Sequence, residues 1–243
     1  MSENWYDEGG ILPPQPTTHY QIWCSGCSAE PAVEMMEIEW NNKDPFYDRD
    51  LENFKRLHAD GAISVGIMGL GTLGSSAADA LRHLGFRVSG WSRNPRQLDG
   101  ISCFHGDGQL ENFLQRTDIL VCLLPLTPQT RHILNRRLFA TLNRGSPMGA
   151  PVVINAGRGG LQNEPDILQC LDDGTLGAAS LDVFAQEPLP ADSPFWTHPK
   201  VVLTPHNAAD TDPDEISKYV ASQIQHFEAG AALENVVDPA RGY

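Results

Sequence analysis

One hexapeptide constrains this chain more than any other feature: Gly69-Leu-Gly71-Thr-Leu-Gly74. Three glycines at that spacing are common by chance, so their flanks decide what they mean. Before them, residues 63–70 form a short apolar run that reads as a buried strand. After them, residues 75–84 are rich in Ala and Leu and read as a helix, closed by Gly85. In that setting the first glycine allows a tight turn. The second lets backbone approach a pyrophosphate, and the third lets helix and strand pack closely. The helix N-terminus would offer N–H groups and partial positive charge to phosphates. Gly69, Gly71, Thr72, Leu73 and Gly74 are therefore candidate cofactor-binding residues. The plain alternative is a strand-to-helix turn with no ligand.

The same alternation continues downstream. Residues 86–91, 119–124, 152–155, 178–184 and 201–204 read as further strands. Residues 166–173 read as a helix, with Gly174 placed as its stop. Continuous apolar strands separated by helices predict a parallel sheet covered on both faces, a doubly wound Rossmann-type α/β fold. A last helix is expected between Asp212 as cap and Gly230 as stop, with Pro213 in its first turn. Its stripe of Ile216, Tyr219, Val220, Ile224 and Phe227, broken by Gln223, reads as ordinary packing.

Composition narrows the partners. The net charge is −14, which argues against nucleic acid and anionic membranes. Residues 1–60 hold 12 acidic and 4 basic side chains, so the acidic excess is concentrated in the first quarter. No apolar run is long enough to span a bilayer. The start, Met-Ser-Glu-Asn-Trp-Tyr-Asp-Glu, does not read as a signal peptide. Five cysteines are a sparse, odd set, which fits a reducing cytoplasm. Cys24-Ser-Gly-Cys27, even with His19 nearby, lacks a fourth zinc ligand and reads as incidental, so no metal is expected.

The end of the second strand reads the dinucleotide. An NAD-preferring site usually places Asp or Glu there, on the ribose 2′-hydroxyl. This chain has Trp91-Ser92-Arg93. Arg93 can fork onto a 2′-phosphate and Ser92 can donate to it, so NADP(H) is expected ahead of NAD(H). The alternative makes Arg93 a solvated surface residue.

Three polar residues then follow three strands in turn: Arg158 in Asn-Ala-Gly-Arg-Gly-Gly, Glu187 in Gln-Glu-Pro-Leu-Pro, and His206 in Thr-Pro-His. Ligands bind beyond the carboxyl ends of strands in open α/β sheets. A guanidinium, a carboxylate and an imidazole there are the groups needed to reduce a 2-keto acid by hydride transfer. Singly, each could be a surface charge, a cap or a loop histidine.

From about residue 62 onward the chain resembles the D-isomer-specific 2-hydroxyacid dehydrogenases, and within them the glyoxylate/hydroxypyruvate reductase A group. The resemblance is carried by Val-Gly-Ile-Met-Gly-Leu-Gly-Thr-Leu-Gly (65–74), Trp-Ser-Arg (91–93) and Leu-Leu-Pro-Leu-Thr-Pro-Gln-Thr (123–130). It continues through Ile-Asn-Ala-Gly-Arg-Gly (154–159), Leu-Asp-Val-Phe (181–184), Glu-Pro-Leu-Pro (187–190), Ser-Pro-Phe-Trp-x-His-Pro (193–199), Thr-Pro-His (204–206) and Ala-Arg-Gly-Tyr (240–243). It implies NADPH-dependent reduction of glyoxylate or hydroxypyruvate, with Arg158 on the substrate carboxylate and His206 as general acid. Glu187 would accept a hydrogen bond from the proton on the other imidazole nitrogen and favour the charged ring. Asp182 would meet the nicotinamide carboxamide. Leu124, Pro125 and Thr130 would line the cofactor channel, with Ala156 and Gly157 beside it and Trp196 near the wall. A homodimer built on nucleotide-domain elements is also implied.

The family opens with a substrate lobe whose glycine-rich loop is not legible in residues 1–60. That stretch, with a Pro/Gly-rich leader at 9–16, is read as an atypical remnant of the lobe or a disordered segment. The expected organisation is this segment, a dinucleotide-binding domain over 61–210 and a C-terminal helix and tail over 211–243. The competing functional reading is a catalytically weak or inactive NADP-binding module.

Overall fold

The computed structural model describes residues 63–146, 148–209 and 212–237. The expectations for residues 1–60, including Cys24 and Cys27, and for the terminal Ala-Arg-Gly-Tyr lie outside the described residues.

Seven strands form one parallel sheet in the order β3-β2-β1-β4-β5-β6-β7. They are β1 (Ser64–Met68), β2 (Arg87–Ser92), β3 (Ser102–His105), β4 (Ile119–Cys122), β5 (Val152–Asn155), β6 (Ala178–Leu181) and β7 (Val201–Leu203). The helices are α1 (Thr72–His83), α2 (Asp107–Leu114), α3 (Arg136–Thr141), α4 (Glu164–Asp172) and α5 (Pro213–Glu228). The sequence reading finds every strand except β3, whose four residues Ser-Cys-Phe-His carry no apolar run. It also misses the short helices α2 and α3.

Both faces of the sheet are covered, as the uninterrupted apolar strands require. Adjacent residues of β1 serve opposite sides: Met68 belongs to a large cluster with Phe113, Leu120, Val153 and Leu181, and Ile67 to a smaller one with Leu70, Ala78 and Val88. A buried carboxylate aligns the amino ends of the central strands. Asp118 accepts from the Ser64 N–H (2.7 Å) and the Asn143 side-chain amide (2.7 Å).

Strand register sets where chemistry can happen. Met68 pairs with both Trp91 and Cys122, Cys122 with Asn155, Asn155 with Leu181, and Leu181 with Leu203. The carboxyl ends of five consecutive strands therefore finish in one row. The strand order reverses at β1, with β2 on one side and β4 on the other, which opens a crevice above that row.

Helix α5 is built as its sequence predicts, with Asp212 accepting from the Asp214 and Glu215 N–H groups. Among the described residues, its apolar stripe is left largely uncovered. No residue of α5 is buried, and Phe227 is 70% exposed. The spacing of the stripe is right for a helix, but spacing does not say which neighbour covers it. Among the described residues, no helix is long and apolar enough to cross a membrane.

Candidate active site

The three glycines divide their work as the motif requires. Gly69 has φ near 104°, and its N–H donates to the Trp91 carbonyl (2.8 Å). A Cβ on Gly69 would sit 2.7 Å from the Leu123 carbonyl oxygen, so the loop after β4 closes onto this turn. A Cβ on Gly74 would land on the Gly69 carbonyl oxygen, so only hydrogen lets α1 seat against β1. A Cβ on Gly71 would meet nothing within 4 Å. The one glycine not needed by the fold is the one whose backbone faces open space. Helix α1 also begins with no side-chain cap and no acid in its first turn. Thr72, Leu73 and Gly74 are thus at a helix start suited to phosphate oxygens. The residues present fit a dinucleotide.

At the end of β2 the expected trio separates. Trp91 is buried in the core and donates its indole N–H to the Gly106 carbonyl (2.9 Å), so its side chain braces the sheet. The Ser92 hydroxyl donates to the Asn94 carbonyl (2.7 Å) and so is committed within its own turn. Arg93 is exposed beyond the strand end.

The loop after β4 holds Leu124, Pro125 and Thr130. Leu124 is buried. Thr130 works as a staple: its hydroxyl donates to the Pro125 carbonyl (2.7 Å) and accepts from the Thr127 N–H (2.8 Å). Cys122, at the strand end beneath, is fully buried, and burial pushes its thiol up to about 12. It is no nucleophile near neutral pH.

Beyond β5, the Ala156 N–H donates to the Cys122 carbonyl (3.2 Å) and the Gly157 N–H to the Asn155 side-chain oxygen (3.1 Å). A Cβ on Gly157 would come within 2.9 Å of the Leu124 carbonyl oxygen, so this turn packs against its neighbour. Arg158 is exposed and one of its guanidinium nitrogens donates to the Gly157 carbonyl (2.6 Å). Among the described residues, no carboxylate pairs with it. An unneutralised guanidinium at a strand end is an anion site in waiting.

His206 and Glu187 meet. The imidazole Nδ1 lies 2.8 Å from Glu187 Oε2, and Glu187 Oε1 accepts from the Phe184 N–H (2.9 Å). The carboxylate is thus held by its own turn and holds the ring, which leaves Nε2 for a ligand. The His206 side chain is 46% exposed and its backbone is left-handed, with φ near 55°.

Asp182 has a role that the sequence reading missed. Its buried carboxylate accepts from the Thr204 hydroxyl (2.5 Å), the Asn207 N–H (3.0 Å) and the Ala208 N–H (3.1 Å). It grips the chain on both sides of His206. The signal available in the sequence was an acid inside the apolar run Ser-Leu-Asp-Val-Phe, which a buried group must justify by hydrogen bonds. Trp196 donates its indole N–H to the Pro190 carbonyl (2.8 Å) and braces the loop after Glu187. Among the described residues, no cluster of His, Cys, Asp or Glu could hold a metal ion.

Fold and site together define a doubly wound NAD(P)-binding domain of the oxidoreductase kind, with a carboxylate–imidazole pair and, among the described residues, an arginine without a carboxylate partner at its strand ends. A family model described as "D-isomer specific 2-hydroxyacid dehydrogenase, NAD binding domain" matches residues 36–208, well over half of the chain. The chain belongs to the D-isomer specific 2-hydroxyacid dehydrogenases.

Among its relatives, the glyoxylate/hydroxypyruvate reductase A of Yersinia enterocolitica is 45% identical over 186 residues, covering 76% of this chain and 58% of that protein. The reductase of the same name from Serratia proteamaculans is 43% identical over 205 residues, covering 84% and 60%. The chain therefore spans about three fifths of the length of these relatives. A solved NADPH-dependent glyoxylate/hydroxypyruvate reductase from Sinorhizobium meliloti, in complex with NADP and sulfate, is similar with a TM-score of 0.75. It is 48% identical, covering 82% of this chain and 66% of that one. A probable 2-hydroxyacid dehydrogenase from Rhizobium etli, solved with NADP, HEPES and tartaric acid, has a TM-score of 0.73 and 44% identity, covering 81% and 64%.

Proposed function

We propose that this chain carries the NADPH-dependent reduction of a small 2-keto acid, glyoxylate or hydroxypyruvate, to its 2-hydroxy acid. The observation that carries the reading is the Glu187–His206 pair at 2.8 Å, with Arg158 beyond the adjoining strands. Bound NADPH would supply the hydride. Arg158 binds the substrate carboxylate and polarises the keto oxygen. His206 delivers a proton to that oxygen from Nε2, because Glu187 occupies the Nδ1 side. Glu187 holds the ring in orientation and stabilises its charged form. Asp182 keeps the His206 loop in place.

The preference for NADPH rests on the absence of an acid at the end of β2 and on the position of Arg93 there. The relatives from Sinorhizobium and Rhizobium solved with NADP support it. Three cysteines of the described residues, Cys103, Cys122 and Cys170, are free thiols, in keeping with work in the cytoplasm. Residues 61–210 serve as the dinucleotide-binding domain in this reading, and two copies associate as a homodimer.

The test is NADPH oxidation by the purified chain with glyoxylate and with hydroxypyruvate, beside His206→Ala. Turnover in the parent and a loss of at least about a hundredfold in the variant are expected, the scale of a positioned general acid. NADPH binding without turnover in the parent would sink the reductase reading and leave an NADP-binding module.

A further inference from the structure

Two buried side-chain amides lie between the arginine and the acid–base pair, and the reaction as proposed does not use either. Asn155 is fully buried and Gln162 is 1% exposed. Buried amides are costly unless each donor and acceptor is satisfied, so where they point is informative. The Asn155 side-chain oxygen accepts from the Gly157 N–H (3.1 Å). Its Nδ2 donates to the Arg158 carbonyl (3.2 Å) and to Gln162 Oε1 (2.8 Å). Gln162 Nε2 in turn donates to the Val183 carbonyl (3.0 Å) and to Glu164 Oε1 (3.3 Å). Glu164 Oε1 also accepts from the Ala185 N–H (2.8 Å). Between those two anchor points, Phe184 donates its N–H to Glu187 (2.9 Å), and Glu187 holds His206.

Hydrogen bonds and three backbone residues thus run unbroken from Arg158 to His206. Each amide clasps the turn beyond a different strand: Asn155 the turn after β5, Gln162 the turn after β6. The two turns also touch directly, because a Cβ on Gly159 would land on the Phe184 carbonyl oxygen. The amides therefore fix how far apart the two turns sit, at a place where backbone contact leaves no slack.

We propose that Asn155 and Gln162 are positioning residues that hold Arg158 at a fixed separation from the Glu187–His206 pair. The proposal rests on the reading of this site as a keto-acid reductase. A keto acid spans both groups at once, its carboxylate on the guanidinium and its keto oxygen under the imidazole. Relaxing the spacing by a fraction of an ångström degrades the reacting geometry without touching the cofactor cradle at β1 and β2.

Gln162→Met keeps the volume of the side chain and deletes its links to Asn155, Val183 and Glu164. In the full chain, hydrogen exchange is expected to rise in residues 156–160 and 183–187 while residues 64–92 stay as in the parent. The Kd for NADPH is expected to stay within about twofold, while KM for glyoxylate rises about tenfold or more, the scale of lost orientation. Asn155→Ala is expected to give the same split, and the double variant little more than the worse single one, because the two amides act as a unit. Gln162→Asn, with its amide one carbon short, should show a milder form of the split, and it replaces Gln162→Met if that variant does not fold. Exchange that rises uniformly along the chain, or that leaves 156–160 and 183–187 unchanged, overturns the proposal. If the parent chain reduces no keto acid, the reductase reading fails by itself, and the exchange pattern still decides whether the amides fix the two turns.

Discussion

Gly71 and Gly74 sit three residues apart, and a methyl group on each has opposite consequences. On Gly74 it strikes the Gly69 carbonyl and forces α1 off β1. Gly74→Ala is expected to cost about 1–3 kcal/mol, the range for overpacking. Thermal melting should register this as a fall of roughly 2–12 °C. On Gly71 the methyl meets nothing, so Gly71→Ala should melt with the parent yet bind NADPH far more weakly, by calorimetry. Equal effects at the two positions would contradict this division. Arg93 supplies a second residue-scale test. A charge-assisted bond to a 2′-phosphate is worth about 1.5–3 kcal/mol, so Arg93→Ala should weaken NADPH by at least about tenfold. NADH lacks that phosphate and should bind the variant and the parent alike.

At the scale of elements, an exposed ion pair ties α3 to the end of α4. Arg136 reaches Asp173 at 2.6 Å, and its N–H donates to Asp166 (2.9 Å). Asp173 lies well below its ordinary 3.8, at about 2, chiefly through the Thr175 hydroxyl and N–H and then through Arg136. A carboxyl group with a depressed value stabilises the fold above its unfolded value and loses that contribution as pH falls through the folded one. Asp173→Asn should therefore lower the urea midpoint at neutral pH, and the gap should close between about pH 4 and pH 2. Because the group is exposed, added salt should shrink the gap as well. A constant gap over that range would count against this account.

Elements of this kind were unevenly legible. Strands β1, β4 and β5 announced themselves as apolar runs because both of their faces are buried. Helix α3 did not, since six residues leave no room for a helical period, and Asn135 as its cap is recognisable only once the helix is known. The apolar face of α5 was legible as a face, while its exposure was not, because a period of 3.6 carries no information about partners. Arg158, Glu187 and His206 stand out as candidates in the sequence because each follows a strand. Asp182, Asn155 and Gln162 were harder to assign, since what they do depends on register between strands distant in sequence.

For the molecule as a whole, the chemistry is unequally supported. Arg158 hangs from β5, which is paired on both sides, whereas His206 hangs from β7, three residues long and at the border of the sheet. Val202 in its middle is 62% exposed. A short border strand frays at lower free energy than the centre it leans on. The buried carboxylate of Asp182 is the counterweight, since it clamps Thr204, Asn207 and Ala208 to the better-anchored β6. On heating, the reductase activity proposed above is expected to fade a few degrees before the far-ultraviolet dichroism of the sheet, on the order of the spread between local and global opening. Asp182→Asn should widen that interval, and coincident curves in both proteins would contradict it. The imidazole proposed as the acid is on a detachable margin: the molecule would fall silent while it still looks folded.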